Sequence, residues 1–107
     1  MEVWVMKAVK VQYTVQSEYA DTNKRNIRKV MADLREIANP GIRYSSFILD
    51  DGKSFVHFGV YSDQAALDVL NNLPSFQFFR DQLKASGPEV PPNADDLNLV
   101  DTSYEIF

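Results

Sequence analysis

Apolar side chains recur at two different spacings in this chain, and the switches between them mark out the elements. Val9, Val11, Tyr13 and Val15 alternate with Lys10, Gln12, Thr14 and Gln16, a period of two that predicts a strand. Trp4, Met6 and Ala8 put apolar groups on the opposite parity, so the start of this strand is expected to be covered on both faces or bulged. Asp21 or Thr22 is placed to cap a helix, and Ile27, Val30, Met31, Leu34, Ile37 and Ala38 keep helical spacing until Asn39-Pro40-Gly41 stops it. Residues 42–50 read as a second strand, turned by Asp50-Asp51-Gly52-Lys53, in which Gly52 is free to take positive φ. Residues 55–61 form a third strand: Val56, Phe58 and Val60 face one way, and Phe55, His57, Gly59 and Tyr61 the other. Both faces are largely apolar, so this strand belongs inside the sheet. Ser62 is a suitable N-cap for a short helix carrying Ala66, Leu67, Val69, Leu70 and Leu73. Pro74 breaks it and opens another, with Phe76, Phe79 and Leu83 on one stripe, ended by Ser86-Gly87-Pro88. Residues 88–96 are polar and proline-rich without periodicity and read as a loop. Residues 97–107 read as the last strand, with Val100, Thr102, Tyr104 and Ile106 on one face.

The order β-α-β-β-α(α)-β, with short connections and right-handed crossovers, predicts an α+β, ferredoxin-like βαββαβ sandwich. A four-stranded antiparallel sheet then carries its helices on one face. The opposite face is too apolar for water, so a homodimer is expected in which two sheets pack face to face. At 107 residues one domain, spanning residues 1–107, is expected. With no cysteine there is no disulfide and no thiol nucleophile, which suits a reducing, cytoplasmic compartment. The first residues lack the basic and long apolar runs of a signal peptide, and no stretch is long enough to span a bilayer, so no membrane association is expected. A net charge of −4 argues against nucleic acid as a partner.

The order and spacing of Phe55-Val56, Tyr61 with Asp63, Ala66-Leu67-Asp68, and Pro74 followed by Phe76 and Phe79 resemble the antibiotic biosynthesis monooxygenase-like family of the dimeric α+β barrel superfamily. The resemblance implies the ferredoxin-like fold, dimerisation into a dimeric α+β barrel, and cofactor-free oxygenation of an aromatic or quinol substrate. Members often carry a histidine in the helix before the proline and another just after it; those places look like Leu70 and Ser75 here. Where members often have Glu and Trp near the end of the third strand, this chain has Gly59 and Tyr61.

His57 is the only histidine, and its near-neutral intrinsic pKa suits a base or hydrogen-bond donor in a pocket. It equally suits a core or interface position bonded to a neighbour. Gly59 beside it could leave room for a ligand, with His57 and Tyr61 as polar groups, Tyr13 lining the space, and Phe76 and Phe79 as walls. Tyr13, Tyr44, Tyr61 and Tyr104 fall on four expected strands and could share a face; aromatic residues on strands are also simply good packers. Asn71 and Asn72 suit the end of a helix. Lys24, Arg25, Arg28 and Lys29 make a basic helix face with no interleaved aromatic, which reads as solvated surface rather than an anion site. One histidine and no cysteine disfavour a transition-metal site, the four glycines form no phosphate loop, and no cofactor is expected. Two functions follow. One is a dimeric module that binds a small apolar or aromatic molecule. The other is a cofactor-independent monooxygenase or isomerase acting on an aromatic or quinol substrate.

Overall fold

A computed structural model describes residues 6–107. The expected contribution of Trp4 lies outside the described residues. The elements run β1 (Lys7–Thr14), α1 (Ala20–Ile37), β2 (Ile42–Ile48), β3 (Ser54–Tyr61), α2 (Gln64–Asn71), α3 (Pro74–Ala85) and β4 (Val90–Leu97), with one 3-10 turn at Ser17–Tyr19. The four strands form one antiparallel sheet in the order β2-β3-β1-β4. This is the ferredoxin-like α+β arrangement, with β1 and β3 inside and the helices on one face.

Local chemistry explains most boundaries, and it moves two of the expected caps. The 3-10 turn, not Asp21 or Thr22, leads into α1, whose N-cap Tyr19 makes no side-chain cap bond. Ala38 closes α1 in the left-handed region at φ 53°, donating to the Leu34 carbonyl 3.0 Å away. Asp63, not Ser62, caps α2: its carboxylate accepts from the Ala66 amide at 2.9 Å. Leu73 is extended, as a residue before proline prefers, and Pro74 supplies the first turn of α3. Between β2 and β3, Gly52 takes φ 75°, and the Asp51 carboxylate accepts from the Lys53 and Ser54 amides.

The C-terminal fifth of the chain departs from expectation. The last strand is Val90–Leu97, within the stretch expected to be a loop, and residues 98–107 form no strand. β4 pairs only with β1, and every one of its residues is exposed, so no buried face imprints a period of two on its sequence. Pro91 and Pro92 fit because the register slips at that point: Gln12 pairs with Asn93 and Thr14 with Val90, leaving the prolines in the irregularity. Val100 is 99% exposed and Tyr104 is exposed, so their alternation records no sheet.

Tyr13, Val15, Val30, Phe55, Leu70, Phe79 and Leu83 are buried between helices and sheet. The other sheet face carries Lys10, Gln12, Val56, Phe58 and Val60 with Phe47 beside them. Phe47 is 57% and Phe58 37% exposed, and their rings meet edge to face at 6.0 Å. At one end of that face Arg43 donates to the Ile106 carbonyl at 3.0 Å and lies over the Phe107 ring.

Candidate functional site

Strand parity assembles the polar centre. His57 pairs with Val11 on β1 and with Ser46 on β2, and residues directly opposite share a face. Val11, Tyr13, Tyr44 and His57 therefore all point towards α3. His57 is only 2% exposed, and both ring nitrogens are occupied. Nε2 lies 2.8 Å from the Tyr13 hydroxyl and Nδ1 2.8 Å from the Tyr44 hydroxyl. A longer contact of 3.4 Å joins Nε2 to the Ser46 hydroxyl. Asn23, wholly buried on α1, donates to the Tyr13 hydroxyl at 2.8 Å.

One assignment of the hydrogens follows when the Asn23 amide donates, which leaves Asn23 Oδ1 without a partner among the described residues. Tyr13 accepts from Asn23, so its own buried hydrogen is satisfied by pointing at Nε2. Nε2 is then the acceptor nitrogen and Nδ1 carries the hydrogen, donated to Tyr44. That leaves the Tyr44 hydroxyl hydrogen for a partner outside the chain Asn23–Tyr13–His57. Burial lowers the His57 pKa from 6.5 to about 4, and no ionised group offsets it. The imidazole is therefore neutral at physiological pH. Burial also pushes the Tyr13 and Tyr44 hydroxyls well above the usual phenol range.

α3 closes the space above these groups. Phe76 and Phe79 stack with centroids 6.0 Å apart; Phe79 lies 5.5 Å from the His57 ring, and Phe76 meets Tyr44 edge-on at 6.1 Å. The Arg80 guanidinium lies 4.7 Å over Phe76. Between them is a cavity of about 260 Å³, lined by Val11, Tyr13, Tyr44, His57, Phe76 and Phe79 inside, with Arg80, Leu83, Lys84 and Pro92 completing it. That is slightly below the roughly 300–1,000 Å³ of drug-sized ligand sites. A one- or two-ring aromatic molecule matches it. A larger groove of about 570 Å³ lies along residues 99–107 and Met6, but it is an open trough and no histidine lines it.

The structure thus brings four of the six candidate residues together: His57, Tyr13, Phe76 and Phe79. Gly59 and Tyr61 share their sheet face but do not line the cavity. A Cβ on Gly59 would run into the Tyr61 ring and hydroxyl, so the missing side chain makes room for Tyr61, not for a ligand. Tyr61 is a core residue whose hydroxyl burial pushes up to about 12. Tyr104 is exposed and on no strand. Phe78 points outwards, 56% exposed, unlike Phe76 and Phe79. Asn71 and Asn72 end α2. Two of the basic residues on α1 are paired, Lys24 with Asp21 and Lys29 with Asp33. Among the described residues no group of three or more His, Cys, Asp or Glu is placed to hold a metal ion, and no helix is long and apolar enough to cross a membrane.

Sequence reasoning passed over Asn23, Arg80 and Lys84. Asn23 carried a signal: it shares the stripe of Ile27, Val30 and Leu34, so a polar residue stands on the buried side of α1. Arg80 follows Phe76 by four positions and Lys84 follows Arg80 by four, which places both over the aromatic stripe.

Antibiotic biosynthesis monooxygenase-like proteins share this fold. Rv0793 from Mycobacterium tuberculosis superposes with a TM-score of 0.77 at 21% identity, covering 94% of this chain and 100% of its own. A candidate antibiotic biosynthesis monooxygenase from Nitrosomonas europaea gives 0.73 at 17%, covering 94% and 95%. SnoaB, a cofactor-independent oxygenase from Streptomyces nogalater, gives 0.69 at 18%, covering 94% and 98%. At such identities the likeness is one of fold. No family model matches the chain, and no curated protein matches it in sequence.

Proposed function

We propose that the protein is a homodimeric barrel of the antibiotic biosynthesis monooxygenase-like type that takes up a small aromatic molecule beneath α3. The observation that carries this is the cavity itself. It has aromatic walls, and its polar cluster ends in the Tyr44 hydroxyl, which has a hydrogen left to donate when Asn23 donates to Tyr13. A carbonyl or phenol oxygen on the ligand would accept it. His57 positions that hydroxyl. It does not abstract protons, since both its nitrogens are engaged and its pKa is too low for an effective base at neutral pH. The dimer would form through the face bearing Phe47 and Phe58, which otherwise leaves a pair of large apolar rings in water. We place the protein in the cytoplasm on its cysteine-free sequence.

Titration with 2-naphthol, followed by intrinsic fluorescence or calorimetry, tests the binding role. Saturable binding that Phe79→Ala and Tyr44→Phe weaken is expected; absence of binding removes the proposal. A second reading, oxygenation or isomerisation of an aromatic or quinol substrate without a cofactor, draws on the fold shared with SnoaB and on a hydroxyl set in an apolar, half-open cavity. Oxygen uptake with a panel of hydroquinones, abolished by Tyr44→Phe, would establish it. Binding without uptake leaves the first reading alone.

A further inference from the structure

Charge at the mouth of the cavity narrows what it can hold. Among the described residues, Arg80 and Lys84 are the only charged ones in the lining, and both are cations. No aspartate or glutamate joins them, in a chain whose net charge is −4. They lie four apart on α3, so their heads share one stripe above the opening. Of the other described lysines, Lys24 pairs with Asp21, Lys29 with Asp33 and Lys53 with Glu89, whereas Lys7 and Lys10 take part in no described ion pair. Neither Arg80 nor Lys84 takes part in a described ion pair. The contact Arg80 does make, over the Phe76 ring, holds the guanidinium beside the opening. Asp81 lies between them in sequence but outside the lining, so the two cations sit over an apolar slot whose polar atoms lie inside with His57 and Tyr44.

We propose that the ligand is an aromatic carboxylate of one or two rings, its ring body among Val11, Phe79 and Leu83 and its carboxylate between Arg80 and Lys84 at the mouth. This rests on the cavity being a ligand site and adds the anionic group. The guanidinium presents a planar pair of donors that matches a carboxylate, and Lys84 adds a second, mobile charge. The apolar interior supplies affinity that an ion pair in water would not.

The experiment compares two probes of the same shape, 2-naphthoate and neutral 2-naphthamide, by calorimetric titration of the full chain at low salt. Naphthoate should bind about tenfold tighter, the scale of one charge-assisted hydrogen bond net of solvation. High salt should erode that preference without touching naphthamide. Arg80→Gln should weaken naphthoate binding clearly more than naphthamide binding, and Lys84→Gln should do so to a smaller extent. Equal affinity for the two probes, or equal losses for both in each variant, overturns the anionic group while leaving the cavity a ligand site. Binding of neither probe overturns the ligand site and the carboxylate together. Should Arg80→Gln fail to fold, Lys84→Gln and the salt titration of the native chain decide the matter.

Discussion

Acidification should destabilise this protein through one imidazole before most carboxylates respond. His57 has a pKa near 6.5 when exposed in the unfolded chain and about 4 when folded, because burial penalises the charged ring. The folded state thus binds its proton less readily. Stability from this group is complete above the unfolded value and is lost as pH falls through the window between 6.5 and 4. Over the whole window the loss is about 3 kcal/mol, and between about pH 7 and pH 4.5 it is roughly 2.5 kcal/mol. For a domain of this size that is a large share of the total, which is typically about 5–15 kcal/mol. Urea unfolding at a series of pH values and one fixed protein concentration measures it, in the native chain and in His57→Gln. Asp33 and Asp51 also have lowered pKa values, from hydrogen bonds to Lys29 and Ser54 respectively; their stability is lost on further acidification, and equally in both proteins, so the difference isolates the imidazole. The native chain should lose roughly 2.5 kcal/mol more than the variant over that interval. Equal slopes in the two proteins would refute the reasoning, as would an imidazole proton resonance that titrates near 6.5.

Tyr13→Phe should destabilise the fold by about 1–3 kcal/mol, since it strands the Asn23 amide and His57 Nε2 in the interior, and chemical denaturation reads this directly. Gly59→Ala should cost a similar amount, about 1–3 kcal/mol, by driving a methyl into Tyr61; an unchanged melting temperature would show that the strand yields freely. Joint replacement Phe47→Glu and Phe58→Glu should convert a dimer to a folded monomer in sedimentation velocity, because both rings lie on the open sheet face. A native chain that already sediments as a monomer at micromolar concentration contradicts the proposed assembly.

How much of this was legible beforehand depended on whether burial had left its mark on the residues. β3, buried towards the helices, displays its two faces openly, and so its parity placed His57 with Phe55 correctly. α1 and α3 likewise show their stripes. β4 has no buried side, so nothing in Val-Pro-Pro-Asn-Ala-Asp-Asp-Leu distinguishes it from a loop. The spacing of Val100, Thr102, Tyr104 and Ile106 imitated a strand without any partner to pair with. At the site, the solitary histidine and the phenylalanines of α3 were readable from type and spacing. Gly59 misled because an absent side chain says only that space is needed, not which atom takes it. Asn23 and Tyr44 gain their roles from hydrogen bonds to neighbouring elements, α1 to β1 and β2 to β3; the buried stripe marks Asn23 as facing inward but does not name its partner.

The rim formed by β4 also limits how copies of this chain can polymerise. A bare sheet margin normally invites another strand to add on, and repetition of that step builds fibrils. Here the margin carries consecutive prolines, which offer no amide hydrogen, a register slip that bends it, and the adjacent carboxylates of Asp95 and Asp96, which repel an identical margin. Growth side by side is therefore opposed along this rim, one of the two margins of the sheet.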